Sequence, residues 1–290
     1  VSHLRSLVLR QAGLIELCRR SRGLPSEHVA LIDGAVHAAH PAFDGCRLSV
    51  LGRSASVRAG EHATFCASVL VGSAADRQAG RVMAICPECT LVNVAVVTDD
   101  MLAGLSSIRD AARALATAVR LATQADCRTI VFGIEIRRPE SAGWMPLRES
   151  LRAAAAAGSV VIFPAGNRPW PSAAAQSRWP ETLIVGSRDW RGRASIFSPL
   201  PARDGTTIFA PGEDVPGAGP DAGYVVRSGT SFAAAIAAGA LALARAAAPW
   251  RGPAEIVADL FRPPSRALDA SPLFTPNLAC HETGEATWNQ

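Results

Sequence analysis

The chain has 290 residues, 49% of them hydrophobic and 19% charged, a globular balance with room for one large α/β domain or two small ones. Its net charge of +4 is modest, it contains no lysine, and its arginines do not interleave with aromatics, which argues against a nucleic-acid partner. The longest apolar run, Phe232 to Ala244, falls short of the ~20 residues of a bilayer span, so no membrane partner is expected either.

In chain order, residues 1–27 carry apolar residues at helical spacing among arginines and are read as an N-terminal helical extension, since their apolar stretches are too short for a signal peptide. "HVALID" (28–33) reads as a strand ending in an acid. "HATFCASVLVG", opening at His62, reads as a helix, and "TLVNVAVV" (90–97) as a second strand. A long amphipathic helix follows over 105–125, then a strand over 127–136 and a helix over 147–158 with its glycine stop. Further strands fall at 159–167 and 181–187, and "SFAAAIAAGALALA" after Thr230 is a helix of small residues. This alternation predicts a parallel sheet covered by helices on both faces, over a domain spanning 28–261. From 262 to 290 the composition turns to Pro, Ser and Thr without periodicity, an irregular tail.

Seven cysteines, an odd number scattered along the chain, fit a reducing compartment, and the expected location is the cytoplasm. Cys86 and Cys89 form the single CxxC. A structural zinc site needs a second such pair, so no metal and no cofactor are expected.

Ligands of open parallel sheets bind beyond the carboxyl ends of the strands. Asp33 ends one strand, Asn167 ends another, and Ser231 opens the small-residue helix. A serine there is either an ordinary cap or a nucleophile whose oxyanion the free amides of the helix start would stabilise. Gly229, just before it, is expected to take a backbone conformation that a side chain would resist. With His62 as base and Asp33 fixing its tautomer, the residues of a nucleophilic relay are all present.

The flanking residues resemble those of the subtilisin-like serine proteases. "VALIDGAVHAAHPAF" is similar to the aspartate motif of that family, "HATFCAS" to its histidine motif, "FPAGN" to its oxyanion motif and "GTSFAA" to its serine motif. The similarity runs from about residue 28 to 250 in the family's order. The resemblance implies a subtilisin-like three-layer α/β fold and a serine endopeptidase acting on a peptide or protein substrate. Asp33, His62 and Ser231 would be catalytic, and Asn167 would be the oxyanion donor. Gly133, Ile134, Glu135 and Gly166 would bind substrate, with Glu135 favouring basic side chains if it faces the cleft. "CPEC" falls where the family has a surface turn. Gly34 after the acid resembles the branch that matures ribosomally made peptides, such as cyanobactins. Departures include Ala63 beside the histidine, "VFGIEI" where the family's strand ends Asn-Met-Ser-Leu-Gly, and Ala235 and Ile236 where it has proline and histidine. Two other outcomes stay open, an acyl-transferring macrocyclase and a peptide-binding pseudoprotease. An esterase is disfavoured by the missing Gly-x-Ser-x-Gly elbow. Oligomeric state is not legible.

Overall fold

The apolar runs of the sequence pair into one sheet in the computed structural model, which describes residues 2–52, 60–104, 106–136, 138, 140–168, 179–199, 207–261 and 267–269. The strands are β1 (His28–Asp33), β2 (Leu48–Leu51), β3 (Thr90–Ala95), β4 (Cys127–Phe132), β5 (Val160–Pro164), β6 (Thr182–Arg188) and β7 (Thr207–Pro211). Their order is β2-β3-β1-β4-β5-β6-β7, and every pairing is parallel. Side chains alternate between the faces. Val29 and Leu31 of β1 join one apolar cluster, while Ala30 and Ile32 join the other. Both faces are buried, which is why these strands read as unbroken apolar runs.

Helices α1 (Ser2–Gln11), α2 (Leu14–Arg20), α3 (Glu61–Leu70), α4 (Ala74–Gln78), α5 (Asp99–Ala103), α6 (Ile108–Gln124), α7 (Met145–Ala156), α8 (Thr230–Ala247) and α9 (Pro253–Leu260) complete the described elements, with an antiparallel hairpin of β8 (Val215–Ala218) and β9 (Tyr224–Arg227). α6 and α7 cover one face. α6 starts at Ser107, whose hydroxyl accepts the Asp110 N–H at 3.1 Å, and it turns Leu115, Val119 and Ala122 inward. α3 and α8 cover the other face, joined by α1, α2 and α9.

α8 is apolar on all sides, and every residue from Thr230 to Ala244 is buried. By length and composition it is apolar enough to cross a membrane, but 83% of it lies inside the protein, the position of a core helix. Its smallness is required by its neighbours: a side chain at Gly239 would stand 2.7 Å from Cβ of Ile85.

The structure departs from the sequence reading in several places. The strand expected over 127–136 stops at Phe132. There the Gly133 N–H reaches across to the Ile32 carbonyl at 3.0 Å and the chain leaves the sheet. The strand expected over 90–97 stops at Ala95, because the amides of Val96 and Val97 both turn to the Asp33 carbonyl at 3.1 Å. The N-terminal segment is indeed helical but belongs to the core. Val8, Leu9, Ala12, Leu14 and Leu17 are buried in the same cluster as α8, and Glu27 pairs with Arg245 of α8 at 3.0 Å. "CPEC" is a turn, but only Glu88 of it is exposed. Both thiols are fully buried, and Cys86 Sγ donates to the Leu70 carbonyl at 3.4 Å. The irregular tail lies outside the described residues except for 267–269.

Candidate active site

Three elements converge at the carboxyl edge of the sheet. Asp33 is the last residue of β1, an interior strand flanked by β3 and β4. His62 is the second residue of α3, and Ser231 is the second residue of α8. Asn167 follows β5 after Gly166, whose φ of 98° lies in the region that glycine alone enters freely.

Asp33 is 5% exposed, and its Oδ2 accepts from His62 Nδ1 at 2.8 Å. Its other oxygen accepts the Gly34 N–H at 2.7 Å. The carboxylate therefore has one orientation, and the imidazole is held with Nδ1 protonated, leaving Nε2 as the free base. The space that Asp33 occupies is made by Gly133, since a Cβ there would overlap Oδ2. The turn after Asp33 is tied by Asn93, a fully buried residue of β3. Its Oδ1 accepts the Val36 N–H at 3.0 Å, and its amide donates to the Leu31 and Gly34 carbonyls at 3.2 and 3.1 Å.

The imidazole rests on Phe232, ring centroids 5.8 Å apart, and Cys66 Sγ lies 3.9 Å from Nε2, one turn along α3. The pKa of His62 is raised well above the ordinary histidine value by negative charge at Cys66 and at Asp33, against burial. Burial also raises the Cys66 thiol, which keeps it neutral near pH 7, so the operative charge there is the Asp33 carboxylate.

The Ser231 hydroxyl donates to the Gly133 carbonyl at 2.8 Å. Its own N–H is among the first amides of α8, which have no partner within the helix. Asn167 is oriented by Thr230, whose N–H and hydroxyl both donate to Oδ1, at 2.8 and 3.0 Å, while the hydroxyl accepts the Gly166 N–H at 3.1 Å. With Oδ1 occupied, the Nδ2 donor is the end left to face the site. Gly229 is extended, with φ 169°, a conformation any residue adopts. The reason for glycine is therefore space: a Cβ would meet the Phe232 ring at 3.3 Å and Asn167 Nδ2 at 3.5 Å.

These residues line one cavity of about 800 Å³. Every catalytic, oxyanion or substrate-binding candidate of the sequence lines it: Asp33, His62 and Ser231, Asn167 and Gly166, and Gly133, Ile134 and Glu135. Among the described residues, the one group arranged to hold a metal ion is Asp33, His62 and Cys66, which is the relay itself.

A family model described as the subtilase family matches residues 28–263. The chain belongs to the subtilase family of serine peptidases. Solved subtilase structures resemble it closely in fold. The prenylagaramide maturation protease PagA is 28% identical with a TM-score of 0.71, the match covering 86% of this chain and 87% of that one. The self-cleaved protease domain of PatA is 27% identical with a TM-score of 0.71, covering 87% and 97%. The PatG macrocyclase in complex with peptide is 20% identical, covers 90% and 94%, and with a TM-score of 0.73 shares the fold. No curated protein sequence matches the chain. Maturation proteases are the branch toward which the residues around Gly34 pointed.

Sequence reasoning missed the support beneath the subtilase relay. Thr230 stood inside the serine motif without a role of its own. Asn93 was a polar residue in an otherwise apolar strand, which is the signal that marks it. Arg138, Trp144 and Arg168 also line the cavity, and only their placement in the fold shows it.

Proposed function

We propose that this subtilase is an endopeptidase that processes a specific peptide, such as a ribosomally made precursor, through an acyl-enzyme on Ser231. The observation that carries the reading is the pairing of Asp33 with His62 beside a helix-start serine and an oriented Asn167, all in one cavity. The Ser231 hydroxyl turns from the Gly133 carbonyl to His62 Nε2, gives up its proton there, and attacks the scissile carbonyl carbon. The oxyanion takes hydrogen bonds from the Ser231 N–H and Asn167 Nδ2. His62 then passes its proton to the leaving amine as the C–N bond breaks. Water, deprotonated by His62, releases the acid.

An incoming amine in place of water would make the same site a macrocyclase. Hydrolysis is the reading that the relay favours, because the His62 side chain is 41% exposed and water reaches it. The maturation proteases among the solved relatives support a processing role. The test is Ser231→Ala in the purified protein. Peptide hydrolysis should fall to the roughly 10³- to 10⁴-fold acceleration that binding and oxyanion donors alone retain. Wild-type turnover in that variant would end the assignment.

A further inference from the structure

Two arginines that line the cavity have no part in the relay. Arg138 and Arg168 both line it, and both are exposed. Among the described residues, ion pairs form at Arg152, Arg193, Arg227 and Arg251, but none forms at Arg138 or Arg168. Two residues with carboxylates line the same cavity: Asp33 holds His62, and Glu135 has an interaction of its own. Residues 169–178, which follow Arg168, contain no acidic residue. Two cationic side chains with no ion-pair partner among the described residues thus belong to the lining of the cavity that holds the nucleophile.

The backbone beneath each arginine is fixed. Arg138 has a φ of 51°, a left-handed conformation that costs a non-glycine residue energy and persists only where its surroundings hold it. Its carbonyl accepts the Ser141 N–H at 3.0 Å and the Trp144 indole N–H at 3.1 Å, and Trp144 is buried against the other cluster of the core. Arg168 directly follows Asn167, the residue that Thr230 holds in place.

We infer that Arg138 and Arg168 select peptides carrying an acidic side chain among the residues that fill this cavity. The inference rests on the protease reading and names the substrate class for it. It differs from the expectation that Glu135, which also lines the cavity, would draw basic side chains, and the two readings predict opposite preferences. A guanidinium fork matches a carboxylate with two parallel hydrogen bonds and keeps its charge at any working pH. Both arginines are solvent-exposed, so each is worth roughly two- to fivefold in affinity, and the pair up to about 20-fold at low salt.

Binding can be read without turnover, on the Ser231→Ala protein. Two pools of random decapeptides are compared, identical except that one contains Asp and Glu where the other has Asn and Gln. The acidic pool should be retained about 5- to 20-fold better at low ionic strength, with the preference shrinking as salt is raised. Changing both Arg138→Gln and Arg168→Gln should bring the two pools to near equality, while Arg10→Gln, an exposed arginine at the end of α1, should not. Equal retention by the starting protein, or the same loss with Arg10→Gln, overturns the inference. Fluorophosphonate labelling of wild-type Ser231 reports on the protease reading separately. A serine that does not label in a protein that still prefers the acidic pool would count against catalysis alone.

Discussion

Replacing Asn93 by aspartate makes a nearly isosteric change at a position with no solvent exposure, and the consequences follow from its three hydrogen bonds. Oδ1 still accepts the Val36 N–H. The amide that donates to the Leu31 and Gly34 carbonyls becomes a carboxyl oxygen. When protonated, it has one O–H for two carbonyls, a loss of one hydrogen bond worth about 0.5–1.5 kcal/mol. When ionised, it sets negative charge against both carbonyl oxygens in a dry site, and burial of this kind raises a carboxyl pKa by up to ~3–5 units. At about 1.36 kcal/mol per unit, the Asn93→Asp protein loses a further ~4 kcal/mol by neutral pH, a large part of an ordinary domain's stability. The sign follows from linkage: the introduced acid has a raised pKa in the folded state, so stability is kept at low pH and falls as pH rises above ~4. Urea midpoints for both proteins at about pH 5 and pH 8 should show a small difference at the lower pH and a large one at the higher. The loss of kcat should follow the same course, because the turn that fixes Asp33 loosens with it. A stability difference that does not change across that range would show that Asn93 is not buried among carbonyls as described.

The acid limb of kcat/KM should lie above the ~6.5 of a free histidine, because the Asp33 carboxylate, the operative charge beside a neutral Cys66, raises His62. Asp33→Asn should lower it, whereas Cys66→Ala should leave it nearly unmoved, since the buried thiol is neutral. The same pairing stabilises the fold fully below ~6.5 and is lost as pH rises through the raised His62 value. Asn167→Ala should cost about 10²–10³ in kcat and Thr230→Val roughly tenfold, with the double variant no worse than Asn167→Ala; additive losses would separate the two residues. EDTA should leave the rate unchanged, and excess zinc should inhibit through Asp33, His62 and Cys66; activity lost to EDTA and restored by zinc would contradict this.

The strands were legible because a sheet buried on both faces leaves unbroken apolar runs, and β1 begins and ends where its sequence says. The relay was legible because its residues sit at strand ends and helix starts, places with their own sequence marks. What the sequence could not show was direction. Glu135 and Arg138 leave the sheet together after Gly133, and their exposure depends on how that segment folds back over Trp144. Residues 1–27 were read as a helical extension of the domain, and their helices pack into its core with Leu14 and Leu17 buried, because a helix's burial depends on what stands opposite it. Gly229 was expected to solve a backbone problem and in fact solves a crowding problem with Phe232.

Eleven of the 18 residues of the helix that carries Ser231 are alanine or glycine, with no rotamers to lose, so its burial sacrifices little side-chain freedom. The same trait leaves it few of the adjustable side chains by which a packed rod can settle into a neighbouring register. Such an axle either sits in its one seat or leaves it with the rest of the fold. Heating should therefore extinguish peptide cleavage and the far-ultraviolet helix signal along a single curve, without an earlier stage in which the protein is folded but idle.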